Sequence, residues 1–250
     1  MWSVVSRSSV TLPSCLTSVN IFSSIPSPTL KLLRMASSRP AASSSSQHIP
    51  SNNNNNNNNN PDKDYASVSP SSAIEFLTLC QNLKTTKRAG WVKREVQNPE
   101  SISDHMYRMG LMALIFSDIP GVNRDKCVKM AIVHDIAEAI VGDITPSDGI
   151  SKEEKSRRER EAIDHMCNVL GGGSRAQEIY DLWMEYEEGS SPEAKLVKDF
   201  DKVEMILQAS EYEKEQGKDL EEFFESTAGK FQTDIGKAWA LEIASRRQKR

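Results

Sequence analysis

Residues 129–144 read KMAIVHDIAEAIVGDI, a run in which apolar residues at helical spacing surround a histidine and an aspartate. This spacing predicts a helix from about residue 124 to residue 140, capped by Asn123. The residues expected on its inward face are Val128, Ala131, Ile132 and Ile136. His134 and Asp135 follow the most apolar part of the helix, and burying them costs free energy unless each group has a partner. The pair is therefore either an internally satisfied ion pair or part of a polar site.

The chain from residue 72 onward has the same helical character. A capping box of Ser72 and Glu75 predicts the first helix, whose inward residues would be Ile74, Phe76 and Leu77, and a loop containing Gly90 follows it. Further helices are predicted from Ser101 or Ser103 to Pro120, from Ser151 to about Gly171, from Ser191 to about Gln216, and over residues 219–228 and 233–248. No alternating apolar pattern is long enough for a β-strand, so the sequence predicts an all-α helical bundle.

The N-terminal segment differs sharply in composition from this part. Residues 1–61 contain no Asp or Glu, are rich in Ser and Pro, and end in an unbroken Asn run from Asn52 to Asn60. Such a segment cannot bury enough apolar surface to offset its ordering entropy. We predict that residues 1–71 are disordered and that residues 72–250 form the folded domain. The acid-free, Arg-containing composition is typical of a chloroplast or mitochondrial transit peptide, although a plain disordered tail or a cytosolic protein starting at Met35 is the alternative.

Charge and cysteine usage exclude several classes of protein. The formal net charge is −4, and because residues 1–61 contribute four positive charges, residues 62–250 carry −8. An acidic domain binds nucleic acid poorly, since phosphate contacts need a basic surface, so we expect no nucleic-acid partner. We also expect no membrane span, because no run approaches the roughly 18 apolar residues that one needs. The four cysteines are far apart, without a C-x-x-C motif, and are predicted to be free thiols.

Three further residues combine with the His134-Asp135 pair into a possible metal site. His105 lies on the preceding predicted helix, and Asp201 lies on an otherwise apolar helix much later in the chain. Glu138 follows His134 by one helical turn. Two imidazoles and two carboxylates suit a six-coordinate Mn²⁺, Co²⁺, Mg²⁺ or Fe²⁺ ion better than structural zinc. His48 lies in the tail and His165 is expected at a helix surface, so neither belongs to this set.

The pattern of His105, His134-Asp135 and Asp201 on successive helices resembles the HD-domain metal-dependent phosphohydrolase superfamily. The local strings are similar to its 5′-deoxynucleotidase branch, which includes the bacterial YfbR-type enzymes and the eukaryotic HD domain-containing protein 2. These strings are Gly90-Trp91, Pro99-Glu100-Ser101, Ser103-Asp104-His105, residues 134–138 and Gly142-Asp143-Ile144. The resemblance covers about residues 72–235 and implies an all-α fold with a single metal site.

The resemblance also implies a function and a role for each site residue. It implies metal-dependent hydrolysis of deoxyribonucleoside 5′-monophosphates to deoxynucleoside and phosphate by a homodimer. The four residues of the motif, His105, His134, Asp135 and Asp201, would hold the metal. Glu138 would transfer a proton, and Asp143 would orient the attacking water or the leaving 5′-oxygen. Arg88 and Trp91 are implied to contact the substrate, and Arg94 is a rival of Arg88 for the phosphate.

Other functions within and outside this superfamily stay open at this point. An HD hydrolase could act on a nucleoside triphosphate or on guanosine tetraphosphate, and a non-catalytic HD scaffold could bind nucleotides. Dinuclear HD enzymes need more histidine ligands than His105 and His134, which favours a mononuclear site. A dimer is also suggested by apolar residues near the C-terminus, which exceed what one small core needs: Phe223, Phe224, Phe231 and Trp239.

Overall fold

The computed structural model describes residues 68–248, which form α-helices, one short 3-10 helix and no β-strand within that range. The all-α prediction is confirmed. The α-helices are α1 (Pro70–Thr85), α2 (Ala89–Lys93), α3 (Ile102–Ile115), α4 (Arg124–Val133), α5 (Glu138–Val141), α6 (Lys152–Val169), α7 (Gly173–Glu188), α8 (Pro192–Gln216), α9 (Glu221–Thr227) and α10 (Asp234–Gln248). The predicted disordered segment and its transit peptide lie outside the described residues, except that α1 already includes Pro70 and Ser71. No helix of the described range is long and apolar enough to cross a membrane.

Most helix starts lie where the side-chain chemistry predicted them. Ser101 forms a reciprocal capping box with Asp104 at the start of α3. Asn123 caps α4, and Ser191 caps α8 ahead of a proline in its first turn. Each cap accepts a backbone N–H that has no partner inside the helix. These caps confirm that local polar residues set where the helices begin.

The prediction for the first helix is wrong in two respects. Its N-cap is Ser69, whose side chain accepts the backbone N–H of Ser72, so the proposed box of Ser72 and Glu75 does not cap it. Only Phe76 of the three residues expected inside is buried, while Ile74 is 64% exposed and Leu77 is 60% exposed. The face that meets the core instead carries Phe76, Leu79, Cys80 and Leu83, at the spacing of one side of a helix.

The helix predicted over residues 124–140 is interrupted at the His134-Asp135 pair. α4 ends at Val133, and a turn of four residues leads into the short helix α5. In this turn the backbone bonds span three residues, as in the 3.0 Å bond from the N–H of Glu138 to the carbonyl of Asp135. The His134 ring donates from Nδ1 to the carbonyl of Ala131 at 2.9 Å. In a continuing α-helix this carbonyl would instead accept the backbone N–H of Asp135.

Two helices were not predicted at all. α2 lies in the segment expected to be a loop, and α7 follows the glycine run expected to end the helical pattern near residue 171. α7 carries buried residues at helical spacing, and Gly172 with a φ of 69° allows the sharp turn into it. The buried residues of α7 are Ala176, Leu182, Trp183 and Tyr186.

The core lies where α3, α4 and α8 pack against one another. Met109 of α3, Met130 of α4 and Phe200 of α8 are each fully buried there. Cys127 is also buried, and the three described cysteines are free thiols, as predicted. The packing brings His105 of α3, His134 at the C-terminal cap of α4 and Asp201 of α8 close together, because these three helices meet in this core.

A buried carboxylate joins α10 to α8. Asp199 is fully buried and accepts the backbone N–H groups of Gln232 and Thr233 as well as the Thr233 hydroxyl. Gly236 lies against this carboxylate, so closely that a Cβ atom there would be 2.7 Å from the Asp199 Cβ. The contact requires glycine for lack of space.

We therefore predict opposite effects for two buried helical glycines. Gly236→Ala should lower the free energy of unfolding by about 1–3 kcal/mol, because Asp199 has three hydrogen bonds that prevent it from moving aside. Gly110→Ala is the matched control, since its nearest neighbour would be 3.9 Å away, and it should stabilise the protein by up to about 1 kcal/mol. Urea unfolding of both variants tests this, and equal effects would contradict it.

Candidate metal centre

Two buried imidazoles form the centre of the site. His105 on α3 and His134 at the end of α4 have ring centroids 5.3 Å apart. Each ring uses Nδ1 for a hydrogen bond, His105 with Oε2 of Glu204 at 2.6 Å and His134 with the Ala131 carbonyl. Neither Nε2 atom, although buried, makes a hydrogen bond within the described residues. These two nitrogens face one point and are available to bind a further group there.

Two carboxylates complete the arrangement. Oδ2 of Asp135 lies 3.1 Å from Nε2 of His134, and Oδ1 of Asp201 lies 3.3 Å from Nε2 of His105. The hydroxyl of Tyr186 donates to the other oxygen of Asp201 at 2.9 Å, which orients that carboxylate. Burial alone would raise the pKa of both carboxyls, but the two imidazoles and Arg88 hold each pKa well below its usual range.

These donors fit a divalent cation. One ligand atom each of His105, His134 and Asp201 lies within 4.8 Å of the other two, and Asp135 adds a second carboxylate beside them. Burial lowers the pKa of His105, but Asp201 and Glu204 outweigh that effect and raise it to about 9. The imidazole therefore holds a positive charge when no cation is present, and a metal ion would replace that proton.

Arg88 supplies a fixed positive charge beside the carboxylates. Its Nη1 lies 3.2 Å from Oδ2 of Asp135, and its Nη2 lies 4.0 Å from Oδ1 of Asp201. Asp143 accepts the backbone N–H of Ala89 at 2.7 Å, so it anchors the segment that carries Arg88. An anionic ligand at the donors would therefore meet a guanidinium whose planar donors match two of its oxygens.

Glu138 is the acidic group best suited to proton transfer. It is buried, and its Oε2 has no hydrogen-bond partner in the described part of the chain. Burial, together with the charges of Asp135 and Asp143, raises its pKa well above the usual value. A raised pKa favours the protonated carboxyl, the form that can donate a proton to a departing oxygen.

The donors open onto a cavity of about 800 Å³, a volume suited to a nucleotide-sized ligand. Its basic lining residues are Arg88, Lys93, Arg94, Lys152, Lys155 and Lys198. Its apolar walls include Trp91, Ile144, Met205 and Phe223. The cavity lining also includes seven carboxylates, so its charges nearly balance, and the basic side chains, Arg88 above all, offset the acidic charge that an anionic ligand would meet.

The residues predicted to contact substrate line this cavity in different ways. Arg88 reaches the carboxylates, as described above. Trp91 is buried, with its indole N–H donating to Glu100 at 2.8 Å and its ring 4.4 Å from that of Phe223. Arg94 lies at the mouth, ion-paired with Glu222. Of the two arginines, Arg88 lies nearer the candidate metal ligands.

Sequence reasoning missed several side chains that surround the site. Tyr186 lies on α7, the helix that was not predicted, so no signal placed it near Asp201. Glu204 lies three residues after Asp201 on α8, and this spacing could have indicated that both face His105. Lys198 lies with its Nζ 4.2 Å from the centroid of the Tyr186 ring. His165 is exposed on α6, as predicted.

Comparisons with known proteins find relatives over most of the described domain. The sequence profile of the HD domain family matches residues 80–243. The 5′-deoxynucleotidase HDDC2 of Danio rerio is 56% identical over 160 residues, covering 63% of this chain and 79% of the relative. The 5′-deoxynucleotidase HDDC2 of Dictyostelium discoideum is 48% identical over 190 residues, covering 71% of this chain and 100% of the relative. A crystal structure of a Pyrococcus horikoshii OT3 protein matches with a TM-score of 0.58 and 36% identity, covering 71% of this chain and 99% of that one.

The arrangement of donors predicts that a divalent cation stabilises the folded protein. At a concentration about 100 times its dissociation constant, a ligand of the native state adds about 2.7 kcal/mol. Co²⁺ or Mn²⁺ should therefore raise the melting temperature of the wild-type chain, and Asp201→Ala should abolish the rise. Glu187→Gln is the control, because this exposed carboxylate lines the cavity away from the imidazoles. An undiminished rise in Asp201→Ala would exclude this residue as a ligand.

Proposed function

The chain belongs to the HD domain family, and we propose that it is a metal-dependent 5′-deoxynucleotidase that hydrolyses deoxyribonucleoside 5′-monophosphates. The observation that carries this proposal is the convergence of two buried imidazole nitrogens, which make no hydrogen bond within the described residues, with two carboxylates beneath a cavity whose lining includes Arg88 and Lys198. The names of the curated relatives, at 46–56% identity, support the substrate class.

His105, His134, Asp135 and Asp201 would hold the metal ion. Their nitrogen and carboxylate oxygen donors favour Mn²⁺, Co²⁺ or Mg²⁺, with Fe²⁺ also suited. When bound, such an ion lowers the pKa of a water molecule and polarises a phosphoryl oxygen. The two pairs of donors come from helices packed in one core, so the protein holds them in place before substrate arrives.

Arg88 would bind the phosphate of the substrate. Its guanidinium already lies between the two carboxylates, and a phosphate entering the cavity would offer it stronger, bidentate acceptors. Asp143 supports this role through its bond to the backbone of Ala89. We also assign to Asp143 the orientation of the attacking water or the leaving oxygen, since its carboxylate is near Glu138 and Arg88.

Glu138 would protonate the leaving group. In hydrolysis, the oxygen of water forms a bond to phosphorus, the bond from phosphorus to the 5′-oxygen breaks, and the 5′-oxygen takes up a proton. Burial and the charge of Asp135 raise the pKa of Glu138, which favours the protonated carboxyl as the donor of this proton. The remaining proton of the attacking water can then return to the carboxylate of Glu138, which restores the starting state.

The deoxynucleoside would lie against the apolar side of the cavity. Trp91, Phe223 and Met205 line this side, and aromatic faces stack with nucleobases. Arg94, at the mouth beside Glu222, would approach the outer part of the substrate rather than the reacting phosphate.

We also propose that the protein is a homodimer. The dimer interface would not include the C-terminal aromatic residues named in the sequence analysis. Phe224, Phe231 and Trp239 are half-buried against the main core, and Phe223 packs on Trp91, so the C-terminal aromatic residues are already covered. Exposed apolar residues instead lie on α3, where Leu114 is 54% and Ile115 is 72% exposed. Light scattering at micromolar concentration tests the mass, and a monomer that persists on concentration would refute the dimer.

Localisation to a chloroplast or mitochondrion rests on composition alone. We propose it because residues 1–61 are acid-free and rich in Ser, with four basic residues. A reporter fused behind this segment should enter an organelle. A reporter that stays in the cytosol would support translation from Met35 or a tail without a targeting role.

A substrate panel tests the proposed function directly. The purified chain should release phosphate from deoxyribonucleoside 5′-monophosphates in the presence of Co²⁺, Mn²⁺ or Mg²⁺. Ribonucleoside 5′-monophosphates, a deoxynucleoside triphosphate and guanosine tetraphosphate serve as competing substrates. Hydrolysis of only the triphosphate or the tetraphosphate would replace the proposed substrate, and binding without turnover would indicate a scaffold.

Variants of Asp135 and Glu138 are expected to fail for different reasons. Asp135→Ala should lose both bound cation and turnover. Glu138→Ala should retain the cation but lower the turnover number by about 10²–10⁴-fold, the usual contribution of a positioned acid or base. Metal analysis and single-turnover kinetics separate the two effects, with Glu159→Gln as a control carboxyl that also lines the cavity. Loss of metal in Glu138→Ala would assign that residue to the ligands instead.

A further inference from the structure

A buried carboxylate lies behind His105, on the side away from the candidate cation. Glu204 of α8 is completely buried, and its Oε2 lies 2.6 Å from Nδ1 of His105. Its other oxygen, Oε1, accepts Nε–H of Arg108 at 2.7 Å. Both carboxylate oxygens therefore have a defined partner, one an imidazole and the other a guanidinium.

Arg108 keeps this carboxylate ionised and limits its rotation. Its remaining donors contact Glu211 at 2.7 Å and Gln208 at 2.6 Å, so the guanidinium is fixed on three sides. A guanidinium is charged at all ordinary pH values, so the ion pair between Arg108 and Oε1 favours the carboxylate form of Glu204. An ionised carboxylate only accepts hydrogen bonds, so Nδ1 of His105 must carry the hydrogen that lies between them.

The position of that hydrogen decides which nitrogen can bind a metal. A neutral imidazole with its hydrogen on Nδ1 has its free lone pair on Nε2, which faces Asp201 and His134. His134 reaches the same state by donating Nδ1–H to a backbone carbonyl, a partner that no substitution removes. His105 instead depends on a side chain, and this dependence can be tested.

We propose that Glu204 is a positioning residue that holds His105 in the tautomer and orientation needed to bind the divalent cation, while Arg108, by taking the second oxygen, determines which end of the side chain at position 204 faces His105. The inference rests on the metal site of the proposed function but not on the identity of the substrate. It assigns a role to Glu204 and Arg108, neither of which lines the cavity.

A second cation site behind His105 fits the contacts less well. Donor atoms of Glu100, His105 and Glu204 lie within 4.8 Å of one another. However, Glu100 already accepts the indole N–H of Trp91, and burial raises its pKa to about 7. Glu204 is occupied by His105 and Arg108, so a cation there would compete with an existing guanidinium.

The substitution Glu204→Gln replaces one acceptor oxygen with a donor NH₂ group and keeps the shape of the side chain. Glutamine has one acceptor oxygen and one donor NH₂ group, whereas both partners of Glu204 require an acceptor. Arg108 can only donate, so the glutamine oxygen should turn toward Arg108 and the NH₂ group toward His105. That arrangement favours the tautomer with hydrogen on Nε2, which cannot bind a metal through that atom.

We therefore expect a loss of cation affinity that a second substitution restores. Glu204→Gln should weaken binding of Co²⁺ by about 10–100-fold, the usual effect of removing a partner of a metal-bound histidine. Arg108→Met alone should leave the affinity close to that of the wild type. In the double variant the glutamine is free to turn its oxygen toward His105, so most of the lost affinity should return.

Titration of the metal-free protein with Co²⁺, followed by its visible absorption, measures these affinities without any substrate. Melting temperatures of the metal-free variants report folding separately. If Glu204 acted only through its charge or packing, the two substitutions would add and the double variant would bind no better than Glu204→Gln; that result would overturn the proposal. If the wild type bound no divalent cation at all, that result would overturn the proposed metal-dependent function, and with it the role of Glu204.

A second comparison covers the case in which Glu204→Gln does not fold. In the Arg108→Met background, Glu204→Gln retains an acceptor for His105, whereas Glu204→Leu offers none. The first double variant should bind Co²⁺ at least about tenfold more tightly than the second. Equal affinities in this pair would equally overturn the role of Glu204.

Discussion

The site depends on one constraint, the burial of two imidazoles whose Nδ1 atoms are both already used. His105 gives its Nδ1–H to Glu204, and His134 gives its own to the carbonyl of Ala131. Each ring is thereby left with its Nε2 atom facing the same small volume, without a hydrogen bond in the described range. Leaving such groups unsatisfied in a core is unfavourable, so the surrounding structure is organised for a group that binds both.

The same constraint explains the broken helix between α4 and α5. The His134 ring reaches back to Ala131, and the chain then tightens into a turn instead of continuing as an α-helix. Because of this turn, Asp135 points toward the imidazoles while Glu138 begins a new helix with a buried carboxyl. In a continuous α-helix the directions of Asp135 and Glu138 would be fixed by helical spacing alone. The turn instead lets Asp135 face the imidazoles while Glu138 is buried at the start of α5.

Charge balance around the donors is distributed over several elements. Two carboxylates near two imidazoles would repel an incoming phosphate, but Arg88 and Lys198 lie on the cavity side and offset that charge. Tyr186 donates to one oxygen of Asp201, and Glu204 binds Nδ1 of His105 on the side of that ring away from the candidate cation. The metal donors thus have partners on their outer side and an open cavity on the other, as a hydrolytic site requires.

The sequence by itself determined the helical class, most helix starts and the composition of the donor set. Caps such as Ser101 and Asn123 act through neighbouring backbone groups, and His134-Asp135 in an apolar run is unusual enough to be recognised locally. Only the tertiary structure decided the break after Val133, the helix that carries Tyr186, and the burial of Glu204 against His105. The C-terminal aromatic residues expected at a dimer surface were likewise covered by packing within the chain. These features arise from contacts between residues far apart in the chain, which the spacing of side chains along one helix does not specify.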